Sequence, residues 1–468
     1  MVASLVLWEA VIAKHAERSA IEFLDGEQWT YGQLWANAQQ FANDLRARHG
    51  LVPGDAVLVQ YRGARQALLH LFGAMHGGWR VCPISSTAPS RYIQAASDLV
   101  RPKLSLLNDA VVHEPSNRDV AEHLGGFLIA LSSGSTGQPK AIQHSLQHYL
   151  ASAVAFGNLS QFGTHTRLYH VLPWVYMAGI LNACLAVLSC GGTVIEGEPF
   201  QAMGGATLAL SALRRSANTL SLVPTMASSM VFLTRNADVL KQFPLQIQQV
   251  QCTSAPIPKG LREQFLAKFQ APLRDCYGIT EVGGPVSLQT EEDARAMNDF
   301  SVPAEAYTIG LAARDDNEGS ELMVGSPFSM MGYLEAGSLA ASVAQPFPTG
   351  DLAESEFGRI RIIGRIKDLI IRGGYNISPQ YVESVVSQCA GVRESAVVGY
   401  DAGLAGERMA LFVSLWDDTA AARSALQLYL AAELQSVEQA DKVIVLAELP
   451  RLYNGKLDKP SLRAMINV

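Results

Sequence analysis

Short apolar runs alternate with longer amphipathic stretches over the first two thirds of the chain. The run Asp55–Tyr61 follows a Pro-Gly pair and predicts a buried strand, Ala64–His76 predicts a helix, and Trp79–Ile84 predicts another strand. Strands that alternate with helices are typical of parallel sheets with helices on both faces. Later apolar runs predict strands of the same kind at Arg167–Leu172, Gly192–Glu196, Thr219–Val223 and Gln248–Thr253.

The pattern changes from about Ala313 to short strands separated by turns. The runs Glu321–Val324, Arg359–Ile363 and Leu369–Ile371 predict a small antiparallel β unit. The C-terminal part predicts a compact α+β unit that begins with a helix after Ser378. Its other predicted elements are strands at Ser395–Gly399, Met409–Trp416 and Lys442–Leu446 and a helix at Ala420–Gln435. We therefore expect an α/β fold with two domains. Residues 1–365 would form a large domain of mixed or parallel sheets flanked by helices, plus the small β unit, and residues 366–468 a small α+β domain.

The composition is that of a folded protein. Of the 468 residues, 49% are hydrophobic and 17% are charged, which supplies packed cores and excludes a disordered chain. The 36 basic and 43 acidic residues give a formal net charge of −7, which argues against binding to the phosphates of a nucleic acid. A small anionic ligand remains compatible with this charge, because local backbone amides and one or two cations can hold it.

The sequence predicts neither a membrane span nor a secretion signal. The longest apolar stretch, Leu181–Ile195, is too short for a bilayer and is broken by Gly191 and Gly192. The N-terminal apolar run has no Lys or Arg before it. The six cysteines form no CxxC pair and mostly lie in apolar runs, so we expect buried thiols in a reducing compartment. These features together predict a cytoplasmic protein.

A strand followed by a polar loop gives the strongest local signal for chemistry. The apolar run Phe127–Ala130 leads into Leu131–Lys140, which contains two glycines, four hydroxyl side chains and a lysine. Glycines let backbone N–H groups converge on a phosphate, hydroxyls donate to its oxygens, and Lys140 supplies charge. The segment lacks the Gly-Lys-Ser/Thr ending of a Walker loop. A polar surface turn is the alternative interpretation, because Ser- and Gly-rich turns are common.

Four further blocks follow this loop, in the order Tyr277–Glu281, Pro348–Asp351, Gly364–Pro379 and Pro450–Lys456. Together the five blocks resemble those of the adenylate-forming superfamily of AMP-dependent synthetases and ligases. This superfamily includes acyl-CoA synthetases, peptide-synthetase adenylation domains and luciferases. One block alone is weakly specific, whereas five in this order are very specific, and the resemblance covers essentially the whole chain.

The resemblance implies a two-step reaction and its cofactors. A carboxylic acid and ATP, with Mg²⁺, would form an acyl-adenylate and pyrophosphate. The acyl group would then pass to a thiol, either CoA or the phosphopantetheine of a carrier protein. The implied enzyme is an acid–thiol ligase, and we expect a monomer or a homodimer.

The resemblance also assigns roles to single residues. Catalysis is assigned to Lys456, Thr280 and Glu281. Lys456, carried by the mobile C-terminal domain, would place an ammonium where negative charge develops on the α-phosphoryl group. Glu281 would give Mg²⁺ a hard oxygen ligand. Lys367 occupies the hinge position about which the C-terminal domain turns. Gly373 and Gly374 would let the backbone approach the pantetheine arm.

Two larger sets of residues would form the ATP and acid sites. Tyr277 offers a flat ring to adenine, Thr280 a hydroxyl to the α-phosphate, and Asp351 a carboxylate that accepts both ribose hydroxyls. Arg365 would contact the ribose. The nucleotide-binding set comprises Ser132, Ser133, Gly134, Ser135, Thr136, Gly137, Lys140, Ser254, Ala255, Tyr277, Gly278, Asp351, Ile363 and Arg365. The acyl pocket would be formed by Trp174, Tyr176, Gly179, Val223, Val282 and Gly283, with Ser254 and Gly278 contributing.

The pocket sequence narrows the class of acid. Amino-acid-activating relatives carry an aspartate that pairs with the α-amino group, whereas Pro173–Gly179 contains no carboxylate. Tyr176 stands where many aryl- and acyl-CoA ligases have a histidine. Bulky pocket residues favour a small aryl or short acyl acid over a long chain.

The sequence leaves alternatives open for the identity of the acyl acceptor and for the kind of activity. Tyr381 replaces the glutamate that relatives usually have, and Gln439–Asp441 lacks a Lys-x-Pro sequence that they often show. A carrier-protein thiol or an amine therefore remains an alternative to CoA. A non-catalytic nucleotide-binding or carrier-docking homologue, and a luciferase-like oxygenase, are the alternatives to a ligase.

Overall fold

The structure is a computed structural model of the chain. It describes residues 2–108, 110–113, 123–133, 139–201, 204–314, 319–340, 344–372, 375–401, 407–452 and 457–466. In this described part, no helix is both long enough and apolar enough to cross a membrane.

The strands are numbered along the chain, and their bounds are as follows. They are β1 Ser19–Glu22, β2 Gln28–Thr30, β3 Ala56–Tyr61, β4 Arg80–Ser85, β5 Leu104–Leu107, β6 Ala110–His113, β7 Gly126–Ser133, β8 Pro139–Ser145, β9 Arg167–His170, β10 Thr193–Glu196, β11 Thr219–Leu222, β12 Gln249–Thr253, β13 Leu273–Ile279, β14 Gly284–Leu288, β15 Val302–Pro303, β16 Thr308–Ala313, β17 Ser320–Gly325, β18 Gly332–Glu335, β19 Ser338–Leu339, β20 Phe347–Glu356, β21 Arg359–Arg365, β22 Ile370–Arg372, β23 Tyr375–Ile377, β24 Val392–Asp401, β25 Glu407–Leu415 and β26 Lys442–Val445.

The α-helices are numbered in the same way. They are α1 Val2–Lys14, α2 Tyr31–His49, α3 Ala64–Gly77, α4 Ser90–Val100, α5 Leu146–Leu159, α6 Ala186–Ser189, α7 Gly205–Arg214, α8 Pro224–Leu233, α9 Ala237–Gln246, α10 Lys259–Phe269, α11 Glu291–Arg295, α12 Pro379–Val386, α13 Ala420–Glu433 and α14 Lys459–Ile466. A π-helix over Ala178–Leu185 precedes α6.

Two large mixed sheets form the N-terminal part. One has the strand order β19-β18-β8-β7-β4-β3-β5-β6, and the other β15-β14-β13-β12-β11-β9-β10-β1-β2. In each sheet the central strands are parallel and strands towards the edges are antiparallel. The parallel strands are buried on both faces, as in β3, because helices cover the two sides. The predicted strand–helix alternation and the α/β fold class are confirmed.

The largest apolar core joins these sheets to α2, α3 and α5. Trp79 and Tyr149 are fully buried in it. The helix α2 begins at a capping box in which Thr30 and Gln33 satisfy each other's backbone N–H groups, and it ends at Gly50 in the left-handed conformation. Local capping thus sets the helix ends, and the apolar core holds the helices against the sheets.

A third sheet, all antiparallel, has the order β16-β17-β20-β21. It begins at Thr308, slightly earlier than the predicted change at Ala313. The prediction that Leu369–Ile371 belongs to this unit is wrong. That segment forms β22, which pairs only with β23 in the described chain, and Ile370 packs in the C-terminal core because its neighbours along the chain belong there.

The C-terminal part has a three-stranded sheet of order β24-β25-β26 covered by helices, as the sequence predicts. It contacts the rest of the chain through an aromatic stack. The rings of Phe232, in α8, and Trp416 are nearly parallel, with centroids 3.6 Å apart. A second contact is a hydrogen bond of 3.3 Å from the Ser378 hydroxyl to the Ile363 carbonyl oxygen.

Candidate active site

A buried carboxylate lies where the third sheet meets the nine-stranded sheet. Asp351, in β20, is only 2% exposed. The Tyr277 hydroxyl, at the end of β13, donates to its Oδ2 atom over 2.7 Å, and Arg365 Nε donates to its Oδ1 atom. Arg365 is the cross-strand partner of Asp351, so the β20–β21 register sets this ion pair. The structure therefore brings together three residues predicted to bind the nucleotide.

The charges in this group reinforce one another. Burial, and then the nearby Asp351 carboxylate, raise the pKa of Tyr277 well above its usual value, so its hydroxyl stays a donor. Burial opposes the charge of Arg365, but the same carboxylate raises the pKa of the guanidinium. A carboxylate has about four acceptor positions. The two donors therefore hold Asp351 in place and leave it able to accept from a ligand diol.

A second group of polar side chains lies around the turn that directly follows β13. Thr280 and Glu281 form a 3₁₀ turn with Val282. The Tyr333 hydroxyl donates to Glu281 Oε1 over 3.1 Å, and Lys140 Nζ lies 5.2 Å from the centroid of the Tyr333 ring. Burial, then the Glu281 carboxylate, raise the pKa of Tyr333. One tyrosine thus joins an acidic and a basic group, both predicted to serve the phosphates and the metal.

The ends of the predicted phosphate loop come together by strand pairing. Ser132 in β7 and Lys140 in β8 are cross-strand partners, and Lys140 is exposed. The side chain of Ser133, and the residues Gly134, Ser135, Thr136 and Gly137, lie outside the described part. Lys140, at the loop end of β8, lies close to the group around Glu281, because β18, which carries Tyr333, pairs with β8.

Further residues predicted to bind the nucleotide or the acid lie at the carboxyl ends of neighbouring parallel strands. Val223 follows β11, and Ser254 and Ala255 follow β12. The neighbouring strand β13 carries Tyr277 and Gly278 close to its own carboxyl end. Ser254 has a φ of 74°, in the left-handed region that non-glycine residues seldom adopt. Such conformations concentrate at functional sites. Ligands of open α/β sheets bind at this edge.

Three predicted acyl-pocket residues follow β9: Trp174 and Gly179 are buried, and Tyr176 is half-buried. The Trp174 ring stacks on His170, with centroids 3.8 Å apart. His170 Nε2–H donates to the Gly179 carbonyl oxygen over 2.9 Å, at the start of the π-helix that follows Tyr176. Burial lowers the pKa of His170 to about 4, so the ring is neutral. Isolated π turns often mark functional sites.

Val282 and Gly283 are packed against the protein itself. Val282 is fully buried, and Gly283 has a φ of 93°. A Cβ atom at Gly283 would lie 2.1 Å from the Phe328 carbonyl oxygen. Only glycine fits here, so Gly283 keeps the turn that carries Thr280 and Glu281 against the following loop.

Other predicted residues lie apart from these groups or outside the described chain. Lys367 is exposed on a 3₁₀ turn, Ile366–Asp368, directly after β21. The catalytic candidate Lys456 and the thiol-side glycines Gly373 and Gly374 lie outside the described residues. The sequence reasoning missed Tyr333 and His170 as site residues. A signal for Tyr333 existed in the Gly332–Tyr333 pair, whereas His170 had none beyond its place at a strand end.

Comparisons with known proteins show the family of this chain. A family profile described as "AMP-binding enzyme" matches residues 8–126 and 126–334, and one described as "AMP-binding enzyme C-terminal domain" matches residues 381–456. A sulfoacetate–CoA ligase of Cupriavidus necator is 25% identical, over 93% of this chain and 92% of its own. A feruloyl-CoA synthase of an Amycolatopsis species is 27% identical, over 94% of each chain.

Solved structures share the fold over nearly the full length. The anthranilate CoA ligase AuaEII, in complex with anthranoyl-AMP, superposes with a TM-score of 0.85 at 18% identity, covering 99% of this chain and 96% of its own. The family match spans more than half of the residues and both parts of the molecule. The predicted superfamily is confirmed: this chain belongs to the family of AMP-binding enzymes.

Proposed function

We propose that this chain is an ATP-dependent acid–thiol ligase. It joins a carboxylic acid to the α-phosphoryl group of ATP, releases pyrophosphate, and then passes the acyl group to a thiol. The observation that carries this proposal is the group of Tyr277, Asp351 and Arg365, a buried carboxylate that two donors hold at the ligand-binding edge of the sheet. A carboxylate that only accepts hydrogen bonds suits the two hydroxyls of a ribose.

The phosphates of ATP fit beside this ribose site. Lys140 supplies positive charge, and the Thr280 hydroxyl lies on the turn between Tyr277 and Glu281. Mg²⁺ usually binds one or two carboxylates together with substrate phosphates and water. The single carboxylate of Glu281, on the turn beside Lys140 and Tyr333, fits this mode. Bound Mg²⁺ would neutralise charge on the phosphates, and Tyr333 orients the Glu281 carboxylate.

The acid is an aryl or short acyl acid, and not an α-amino acid. Trp174 and the neutral His170 form a flat apolar wall, and Pro173–Gly179 offers no carboxylate for an ammonium group. The names of the feruloyl, anthranilate and sulfoacetate ligases are those of enzymes for aryl and small acids. We assign the positive charge that assists adenylation to Lys456, and the turning of the C-terminal domain between the two steps to the hinge at Lys367.

The acceptor is the thiol of CoA or of a carrier-protein phosphopantetheine. The relatives named above act with CoA, which favours CoA. An amine is the alternative acceptor, and a non-catalytic nucleotide-binding protein is the alternative to an enzyme.

Acid-dependent exchange of labelled pyrophosphate into ATP tests the proposal. A panel of benzoates, cinnamates, short acyl acids and proteinogenic amino acids should give exchange only with members of the first three classes. Asp351→Asn should abolish most of it, while Asp401→Asn, which removes the same charge from the C-terminal sheet, should leave it unchanged. No exchange with any acid would support the non-catalytic alternative, and exchange with amino acids alone would refute the acid class. Product analysis with CoA, a phosphopantetheinylated carrier protein and amines then identifies the acceptor.

A further inference from the structure

Two histidines are brought together at the β5–β6 edge of the eight-stranded sheet. His49 is the last residue of α2, and His113 ends β6, an edge strand whose side chains are all exposed. In the antiparallel β5–β6 register, His113 pairs with Leu104 at the start of β5. The neighbouring Lys103 donates over 2.6 Å to the carbonyl oxygen of Gly50, the residue after His49. The register and this hydrogen bond therefore bring the two rings together, with their planes tilted by 38° and one nitrogen of each ring facing the other.

The two rings have the geometry of a chelate. His49 Nδ1 and His113 Nε2 are 3.2 Å apart, and the ring centroids are 5.0 Å apart. An imidazole nitrogen lies about 1.15 Å from its ring centre, and a Zn–N bond is about 2.05 Å long. If a metal lies on the lone-pair axis of both nitrogens, each ring centre is about 3.2 Å from the metal and each nitrogen about 2.05 Å. The distance between the ring centroids is then about 1.56 times the distance between the nitrogens. The observed distances, 5.0 Å and 3.2 Å, have this same ratio.

The two nitrogens are within hydrogen-bond distance, but a linear hydrogen bond between the rings does not fit the centroid distance. A linear N–H···N bond of 3.2 Å would place the centroids about 5.5 Å apart, because the two ring axes would then be collinear. The shorter centroid distance shows that the two ring axes are not collinear, and a metal shared by both nitrogens accounts for this bend. The implied N–metal–N angle is about 103°, close to the tetrahedral value that zinc prefers.

We propose that His49 and His113 form a binding site for a late first-row divalent cation such as Zn²⁺, with water completing the coordination. Imidazole nitrogen suits Zn²⁺, Ni²⁺ and Cu²⁺, and not Mg²⁺. The negative end of the α2 macrodipole favours a cation at this position. Arg48 and Lys103 oppose it, but Asp55 pairs with Lys103 over 3.2 Å. The bound metal would tie the edge strand β6 to the end of α2, independently of the ligase activity.

Isothermal titration of ZnCl₂ into the full chain, without ATP or Mg²⁺, tests the site. The variants are His49→Ala and His113→Ala, and the matched control is His165→Ala, which removes an exposed histidine elsewhere. Loss of a group that only orients a ligand already costs about 10–100-fold in affinity, so loss of a ligand should weaken zinc binding at least about tenfold. The control variant and the unmodified chain should bind zinc alike.

Hydrogen exchange provides a second readout in the same proteins. Zinc should slow exchange of the β6 amides in the unmodified chain and in His165→Ala, and not in the two site variants. Pyrophosphate exchange should be the same in all four proteins. If His49→Ala and His113→Ala bind zinc as tightly as the control, or if zinc leaves β6 exchange unchanged, the proposed site is wrong, whatever the outcome for the ligase activity.

Discussion

The hydroxyl of Tyr277 provides a sharp test of the proposed ribose site. It donates to Asp351 Oδ2 over 2.7 Å, and the acceptor is buried. A hydrogen bond to a charged group contributes about 1.5–3 kcal/mol. Tyr277→Phe keeps the ring for adenine and keeps Arg365 on the carboxylate, so the variant loses this single contact. Since about 1.4 kcal/mol corresponds to a factor of ten, kcat/KM for ATP should fall about 10- to 100-fold.

The fall should appear mainly in KM for ATP. A ribose held at the proposed site would be bound equally in the ground state and in the transition state. Loss of the Tyr277 contact would therefore remove uniform binding and leave kcat nearly unchanged. Initial rates of pyrophosphate exchange at varied ATP and at varied acid separate the two constants. KM for the acid should change little, because the acyl wall formed by Trp174 and His170 is untouched.

Tyr381→Phe is the matched control, because it removes the same hydroxyl from an exposed tyrosine in α12. This variant should keep both KM values. The reasoning would be refuted if folded Tyr277→Phe had an unchanged KM for ATP, or if only KM for the acid rose. Either result would separate Asp351 from the ribose.

Three further predictions concern other parts of the molecule. Lys456→Ala should slow acyl-adenylate formation about 10²-fold or more, whereas thioester formation from synthetic acyl-adenylate should stay near the rate of the unmodified protein. Equal loss of both half-reactions would contradict the separate role of this lysine. A double-mutant cycle of Phe232→Ala and Trp416→Ala should show a coupling of about 0.5–1.5 kcal/mol in the free energy of unfolding, because their rings stack; strict additivity would contradict it. His144 is fully buried, neither ring nitrogen has a hydrogen-bond partner among the described residues, and burial lowers its pKa to about 3. The stability that this neutral form contributes is present above the unfolded pKa of 6.5 and is lost as pH falls towards 3. The free energy of unfolding, measured in urea titrations, should therefore fall by about 3 kcal/mol less between pH 7 and pH 4 in His144→Leu than in the unmodified chain. An equal fall in both proteins would contradict this prediction.

The positions of most helices and strands follow from the sequence alone. The strands β3, β4, β10 and β12 and the helix α3 lie within one or two residues of their predicted ends. Their apolar periodicity and their Pro, Gly and capping residues act over a few neighbouring positions, so a linear pattern contains them. The same holds for the five motif blocks, because their residue types and their order along the chain are enough to indicate the superfamily.

The contacts that make the site depend on the tertiary structure. Tyr277 meets Asp351 across 74 residues of sequence, and Tyr333 meets Glu281 across 52. These pairs depend on which strands are neighbours and on their register, and a change of one residue in register would turn each side chain to the other face of its sheet. The Gly332–Tyr333 pair gives a local signal, but it does not predict the contact of Tyr333 with Glu281, and nothing local marks the meeting of His49 and His113. Both contacts depend on sheet order, which is decided by the burial of both sheets in a common core.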